Sequence, residues 1–152
     1  MTASNDKARQ LRDAVRHLVV ANGTLQEARR PCGTPLSIAH TYALIELLQS
    51  VELVTVSDLA RKLEIDRTNV SRLCARMEDA GEIARNVHPD DGRAWAVRLT
   101  PAGRKLARRV DLSSTRHFEH IAQTLGRSTA QVIEALNLLE HALASAQLQK
   151  EP

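Results

Sequence analysis

Two short helical patterns separated by three residues, with an immediate switch to alternating periodicity after them, constrain this chain more than any other feature. In TVSDLARKL, Thr55 and Asp58 stand at capping-box spacing: the hydroxyl accepts from an early helix amide while the carboxylate reaches back to the cap. Only Glu64-Ile65-Asp66 separates Leu63 from DRTNVSRLCARMEDAG. There Asp66 is the expected N-cap, Val70, Leu73, Cys74 and Met77 form an apolar stripe, and Gly81 stops the helix. Two helices joined by so short a turn make a helix-turn-helix. Past Gly81 the period falls to two. Ile83, Arg85 and Val87 alternate with Ala84 and Asn86, and Trp95, Val97 and Leu99 alternate with Ala96 and Arg98. The turn formers His88 to Arg93 lie between these runs, so the pattern predicts a β-hairpin with a charged tip.

The flanks read as helices. Leu11, Val15, Leu18 and Leu25 recur at helical spacing between about Asp6 and Arg29, and Pro31-Cys32-Gly33 ends that run. A second, buried helix begins near Pro35 or Ser37 and continues to about Gln49. Thr100-Pro101 reads as N-cap and first position of a long helix ending at Gly126. Ser128 and Gln131 suggest another capping box, ahead of a heptad seam of Val132, Leu136, Leu139, Leu143 and Ala146. The expected fold is mainly α with a small β-hairpin wing. The chain of 152 residues suits one domain, and its 6 Gly and 5 Pro are too few for a many-turned β-sandwich.

Charge points to a partner. Arg61 to Arg109 carries 12 Lys and Arg against 7 Asp and Glu, while the remainder of the chain is slightly acidic. A basic excess confined to the middle third is what a polyanion-binding module between neutral flanks shows. With 1 Trp, 1 Tyr and 1 Phe the chain lacks the aromatic platforms on which single-stranded nucleic acids stack. No apolar run approaches the ~20 residues needed to cross a bilayer, and the N-terminus has no signal-like core, so a cytoplasmic protein without membrane contact is expected. Cys32 and Cys74 form no CxxC pair, which suits a reducing compartment.

With the stripe of the second short helix turned inward, its opposite face presents Arg67, Thr68, Asn69, Ser71, Arg72 and Arg76. Arg is bidentate toward guanine, Asn toward adenine, and Ser or Thr serves bases or phosphates, so this is the predicted recognition helix for double-stranded DNA. On the wing, Arg93 is placed to enter a narrow minor groove, with Asp91 fixing its side chain and Arg85 and His88 adding phosphate contacts. Val132 to Ala146 would leave a monomer with a large apolar patch, so a homodimer is expected, and its symmetry demands a palindromic site.

The run LARKLEIDRTNVSRLCARMEDAGEIARNVHPDDGRAWAVRLTPAGRKL resembles the winged helix-turn-helix of the MarR family of transcriptional regulators. The likeness rests on the helix-turn-helix, Gly81 before the wing, the Asp91-Gly92-Arg93 tip and the LTPAG lead-in to the next helix, and it extends over residues 36 to 148. It implies a homodimer whose first and last two helices interlock, two wings gripping a pseudo-palindromic operator, and an effector that changes the distance between recognition helices. On this reading residues 1–34 and 101–152 form the dimerisation region and 35–100 the DNA-binding lobe of a single domain.

The family's usual pocket would lie near His17, His40, Tyr42 and His117, suiting a small aromatic or phenolic effector. Cys32, His40, His117 and His120 form an alternative zinc set, but the i, i+3 histidines lack a carboxylate-rich setting, and no metal or cofactor is expected. Thiol sensing is disfavoured: Cys32 follows the first helix instead of opening it, the chain has one Tyr, and Cys74 sits on an apolar stripe. A protein-interaction module that has lost DNA binding would be depleted of Arg on the recognition helix and wing, which this chain is not. No GxSxG, HExxH, P-loop or GxGxxG motif supports an enzyme.

Overall fold

The computed structural model describes residues 3–22, 36–89 and 92–148. The elements run α1 (Ala3–Ala21), α2 (Ile38–Gln49), β1 (Val54–Thr55), α3 (Val56–Leu63), α4 (Arg67–Asp79), β2 (Ile83–Val87), β3 (Trp95–Leu99), α5 (Pro101–Leu125), a 3-10 turn (Gly126–Ser128) and α6 (Thr129–Leu148). Two compact units result, Met1–Ser114 and Thr115–Pro152, and the helix-turn-helix and wing belong to the first. The part of the first helix expected beyond Ala21, up to Arg29, lies outside the described residues. No helix among the described residues is long and apolar enough to cross a membrane.

Local chemistry sets the helix ends. Ser37 caps α2 by accepting from the His40 amide at 3.1 Å. At α3 the expected capping box forms: the Asp58 amide donates to Thr55 Oγ1 at 3.0 Å and the Thr55 amide to Asp58 Oδ2 at 3.1 Å. Each residue of the three-residue turn has a task. Glu64 takes the left-handed conformation, φ 52°, and closes α3 through its amide; Ile65 packs against the core; Asp66 caps α4 by accepting from the Thr68 and Asn69 amides.

Two local expectations are corrected. The sheet has three antiparallel strands, ordered β1-β3-β2, and not a hairpin alone, because Val54 pairs with Val97 and Thr55 with Ala96. A two-residue strand is too short to leave a period in the sequence. Ser128 does not cap α6: it lies in the 3-10 turn, and the hydroxyl bonding at the junction comes from Thr129, which donates to the carbonyls of Ala122 and Gly126.

Within the first unit the core gathers Ala43, Leu44 and Leu47 of α2, Leu59 and Ala60 of α3, the four-residue stripe of α4, Ile83 and Val97 of the sheet, and Ala107 and Val110 of α5. The start of α5 meets the turn before β2 at close range. Thr100 donates from its amide to the Glu82 carbonyl at 2.9 Å and from its hydroxyl to the Gly81 carbonyl at 2.6 Å, and its hydroxyl accepts from the Gly103 amide at 3.0 Å. Gly103 is required there, since a Cβ on it would stand 1.8 Å from the Glu82 carbonyl oxygen, a backbone atom that cannot rotate away. Gly103→Ala should therefore cost about 2–3 kcal/mol of stability as an overpacking substitution. Chemical denaturation measures this, and an unchanged midpoint would show that α5 can retreat from the turn without loss.

Candidate nucleic-acid interface

Burial divides α4 cleanly. Val70, Cys74 and Met77 are fully buried and Leu73 nearly so, whereas Arg67, Thr68, Asn69, Ser71, Arg72 and Arg76 are all exposed. The stripe read from the sequence thus anchors the helix and leaves its polar face outward. On that face Arg72 donates to Asn69 Oδ1 at 2.7 Å, which holds the two base-reading candidates together one turn apart. Asn69, Arg72 and Arg76 also rim an open groove floored by Ala39, Ile65, Val70 and Leu73.

The wing forms as expected, with Ile83 opposite Leu99, Arg85 opposite Val97 and Val87 opposite Trp95. The His88 amide donates to the Ala94 carbonyl at 2.8 Å and closes the stem. Arg93 is exposed at the tip and His88 is half-buried; Asp91, expected to steady Arg93, lies outside the described residues.

Arg85, expected to contact phosphate, has a protein partner. Its guanidinium is engaged by the Glu78 carboxylate of α4, with Nε at 2.7 Å and Nη2 at 2.5 Å, and its amide donates to the same carboxylate at 3.2 Å. This pair fixes the wing to the last turn of α4. Arg85 sits on the core face of β2, in line with Ile83, and a cation on an inward face needs a buried or nearby anion. That pattern was the available signal, and Glu78, seven residues earlier, went unread.

The four pocket candidates are found in different surroundings. His17 is exposed on α1, its Nε2 3.5 Å from Arg16. His40 Nε2 lies 2.5 Å from Glu82 Oε2, both side chains about one-seventh exposed, so its ring is held by the turn before β2. Tyr42 is two residues on, which on a helix places it on a different side, and it is 53% exposed. His117, in the second unit, is exposed and stacks edge-on with Phe118 at 5.5 Å. Cys32 of the zinc alternative lies outside the described residues; among those described, no three His, Cys, Asp or Glu side chains gather as a metal site requires. Cys74 is a free, fully buried thiol whose pKa burial raises above the ordinary value, which keeps it protonated.

A two-helix reader with a polar outer face, followed by a three-stranded sheet that projects a basic hairpin, defines a winged helix-turn-helix protein. Residues 34–94 match the profile of the MarR family. It is 31% identical over 88 residues to the HTH-type transcriptional regulator YdgJ of Bacillus subtilis, a stretch covering 58% of this chain and 52% of that protein. The chain therefore spans about half the length of the curated relatives it matches. Among solved structures, a probable transcriptional regulator from Pseudomonas aeruginosa is 27% identical with TM-score 0.60, covering 88% of this chain and 92% of that one. The fold is also that of Sco3205, a MarR family regulator from Streptomyces coelicolor solved in complex with DNA, at 22% identity and TM-score 0.74 over 100% of this chain and 93% of that one.

The hydrogen bonds and charge of Arg85 hold the Glu78 carboxyl below its ordinary pKa of 4.5. A depressed folded-state pKa stabilises the fold above the unfolded value, and that contribution is lost as pH falls through the lower folded value. Glu78→Gln should therefore flatten the acid limb of stability below about pH 4.5. Thermal unfolding across that range reads the effect, and parallel acid limbs for the two proteins would remove the pair from the account.

Proposed function

We propose that this chain acts as a homodimeric transcriptional repressor that binds a pseudo-palindromic operator in double-stranded DNA and is released by a small aromatic or phenolic effector. The observation that carries the reading is the division of α4: an apolar face locked in the core, and an outer face of three Arg with Asn, Ser and Thr and no carboxylate between Arg67 and Arg76. Such a face offers donors to base edges and cations to phosphates, and the wing adds Arg93 at a second groove. The match of residues 34–94 to the MarR family profile supports the DNA-binding part of this reading, as does the likeness in fold to Sco3205, a regulator solved in complex with DNA.

In this reading residues 35–100 form the DNA-binding lobe, and 1–34 with 101–152 the dimer region. Support for the dimer comes from Val132, Leu136 and Leu143 of α6, which are 36%, 45% and 53% exposed although they carry the heptad seam. Recognition helices in successive major grooves stand ~34 Å apart, so an effector that shifts their spacing by a few Å breaks the register. The pocket residues His17, His40, Tyr42 and His117 are proposed on the family resemblance alone.

The direct test is selection of bound duplexes from a random pool, followed by a salt titration of the winners; absence of salt-sensitive duplex binding would end this reading. Arg93→Ala should weaken binding of a selected duplex by ~1–3 kcal/mol with thermal stability unchanged, and equal affinity at physiological salt would remove the wing tip from the contact set. Sedimentation should give a dimer at micromolar concentration, and a monomer there would contradict the seam.

A further inference from the structure

Val87 and Trp95 face each other across the wing stem. Directly opposed residues of antiparallel strands share a face, as do residues two apart, so this pair extends the row made by Arg85 with Val97 and Ile83 with Leu99. The row begins in the core, where Ile83 and Val97 are 2% exposed, passes the Arg85–Glu78 pair, and ends with Val87 and Trp95 at 54% and 53% exposure. The core-facing side of the sheet therefore runs out beyond the body of the lobe, and its uncovered end carries the chain's single tryptophan.

We propose that Trp95 and Val87 form an apolar pad that seats one sugar–phosphate strand of the duplex, meeting the C–H faces of its deoxyriboses between the groove read by α4 and the groove reached by the wing. This rests on the DNA-binding reading above. Position argues for it. The pad starts two residues, roughly 7 Å, beyond Arg85, which is bound to the last turn of the recognition helix, and it lies on the sheet face turned toward that helix. In the other direction Trp95 is two residues from Arg93 at the tip. A backbone strand separates a major from a minor groove, so a duplex engaged by both α4 and Arg93 passes one strand over the stem between them. Chemistry argues for it too. An indole removes 150–250 Å² of surface from water at small cost in conformational freedom, and the C–H faces of deoxyriboses are apolar surface it can cover. The pad also lies between the basic outer face of α4, with Arg67, Arg72 and Arg76, and Arg93 at the tip, a setting that favours a polyanion over a neutral protein surface.

Because the chain has one tryptophan, its fluorescence reports this site alone. With a duplex selected from a random pool, acrylamide quenching of the full-length protein should fall at least by about half on saturation, while binding is followed separately by anisotropy of labelled DNA. Trp95→Ala should lower affinity roughly tenfold without changing the slope of log affinity against log salt, since no phosphate contact is lost, and Trp95→Phe should restore most of it. Bound duplex with unchanged quenching overturns the pad and leaves the DNA reading standing. Quenching that falls with protein concentration alone overturns it in favour of a protein contact. A chain that binds no duplex overturns the DNA reading, and the pad with it.

Discussion

The turn at Gly81-Glu82 is the constraint on which the lobe depends. Gly81 supplies a φ of 71°, which sends the chain from the end of α4 straight into β2. The Glu82 carbonyl then accepts from the Thr100 amide and hydroxyl, its backbone leaves room for Gly103 and nothing larger, and its carboxylate takes His40. One residue thus ties together α2, β2 and the first turn of α5. Under the proposed DNA-binding reading α4 and the wing act on the same ligand from two places, and this fastening joins the segments that carry them.

The Glu78–Arg85 pair extends that fastening outward and resolves an electrostatic difficulty. A carboxylate near the end of a helix that faces a polyanion would repel it at close range, and the Debye length of about 8 Å at physiological salt would not screen it. With Arg85 Nε and Nη2 both on its Oε2 oxygen, Glu78 presents a neutral pair, and the net basic character of the face is left to Arg67, Arg72, Arg76 and Arg93. Half-exposed ion pairs contribute little stability on their own; here the geometry they impose on the wing is the larger effect.

Most of the lobe was legible in the sequence because its signals are local. The caps at Thr55 and Asp66, the α4 stripe and both wing strands follow from spacing within a dozen residues, and the structure places them where spacing puts them. What was not legible depends on contacts between distant segments. β1 is too short to show a period and exists only because β3 offers it an edge. The bond between His40 and Glu82 could not be read, because nothing near His40 in the chain announces a partner 42 positions on. The pairing of Arg85 with Glu78 could not be read from its charge alone, without its face on β2. Trp95 was counted as one aromatic of three, and only the register showed that it stands at the uncovered end of a buried row.

The second unit raises a question of cohesion that leads back to the operator. In α6, Val132, Leu136 and Leu143 are exposed along one side, and Ile133 and Leu138, at 54% and 67%, along others. A helix of 20 residues draws most of its stability from the packing of its apolar face, and these side chains leave that face unspent. Under the proposed dimer a second copy supplies the missing surface, and the exchange is isologous, each α6 meeting its own counterpart across a two-fold axis. The axis then passes to the DNA-binding lobes, whose paired recognition helices can match only a site with the same symmetry. Apolar residues far from any nucleotide would in this way dictate the palindrome, while the side chains of α4 dictate its letters.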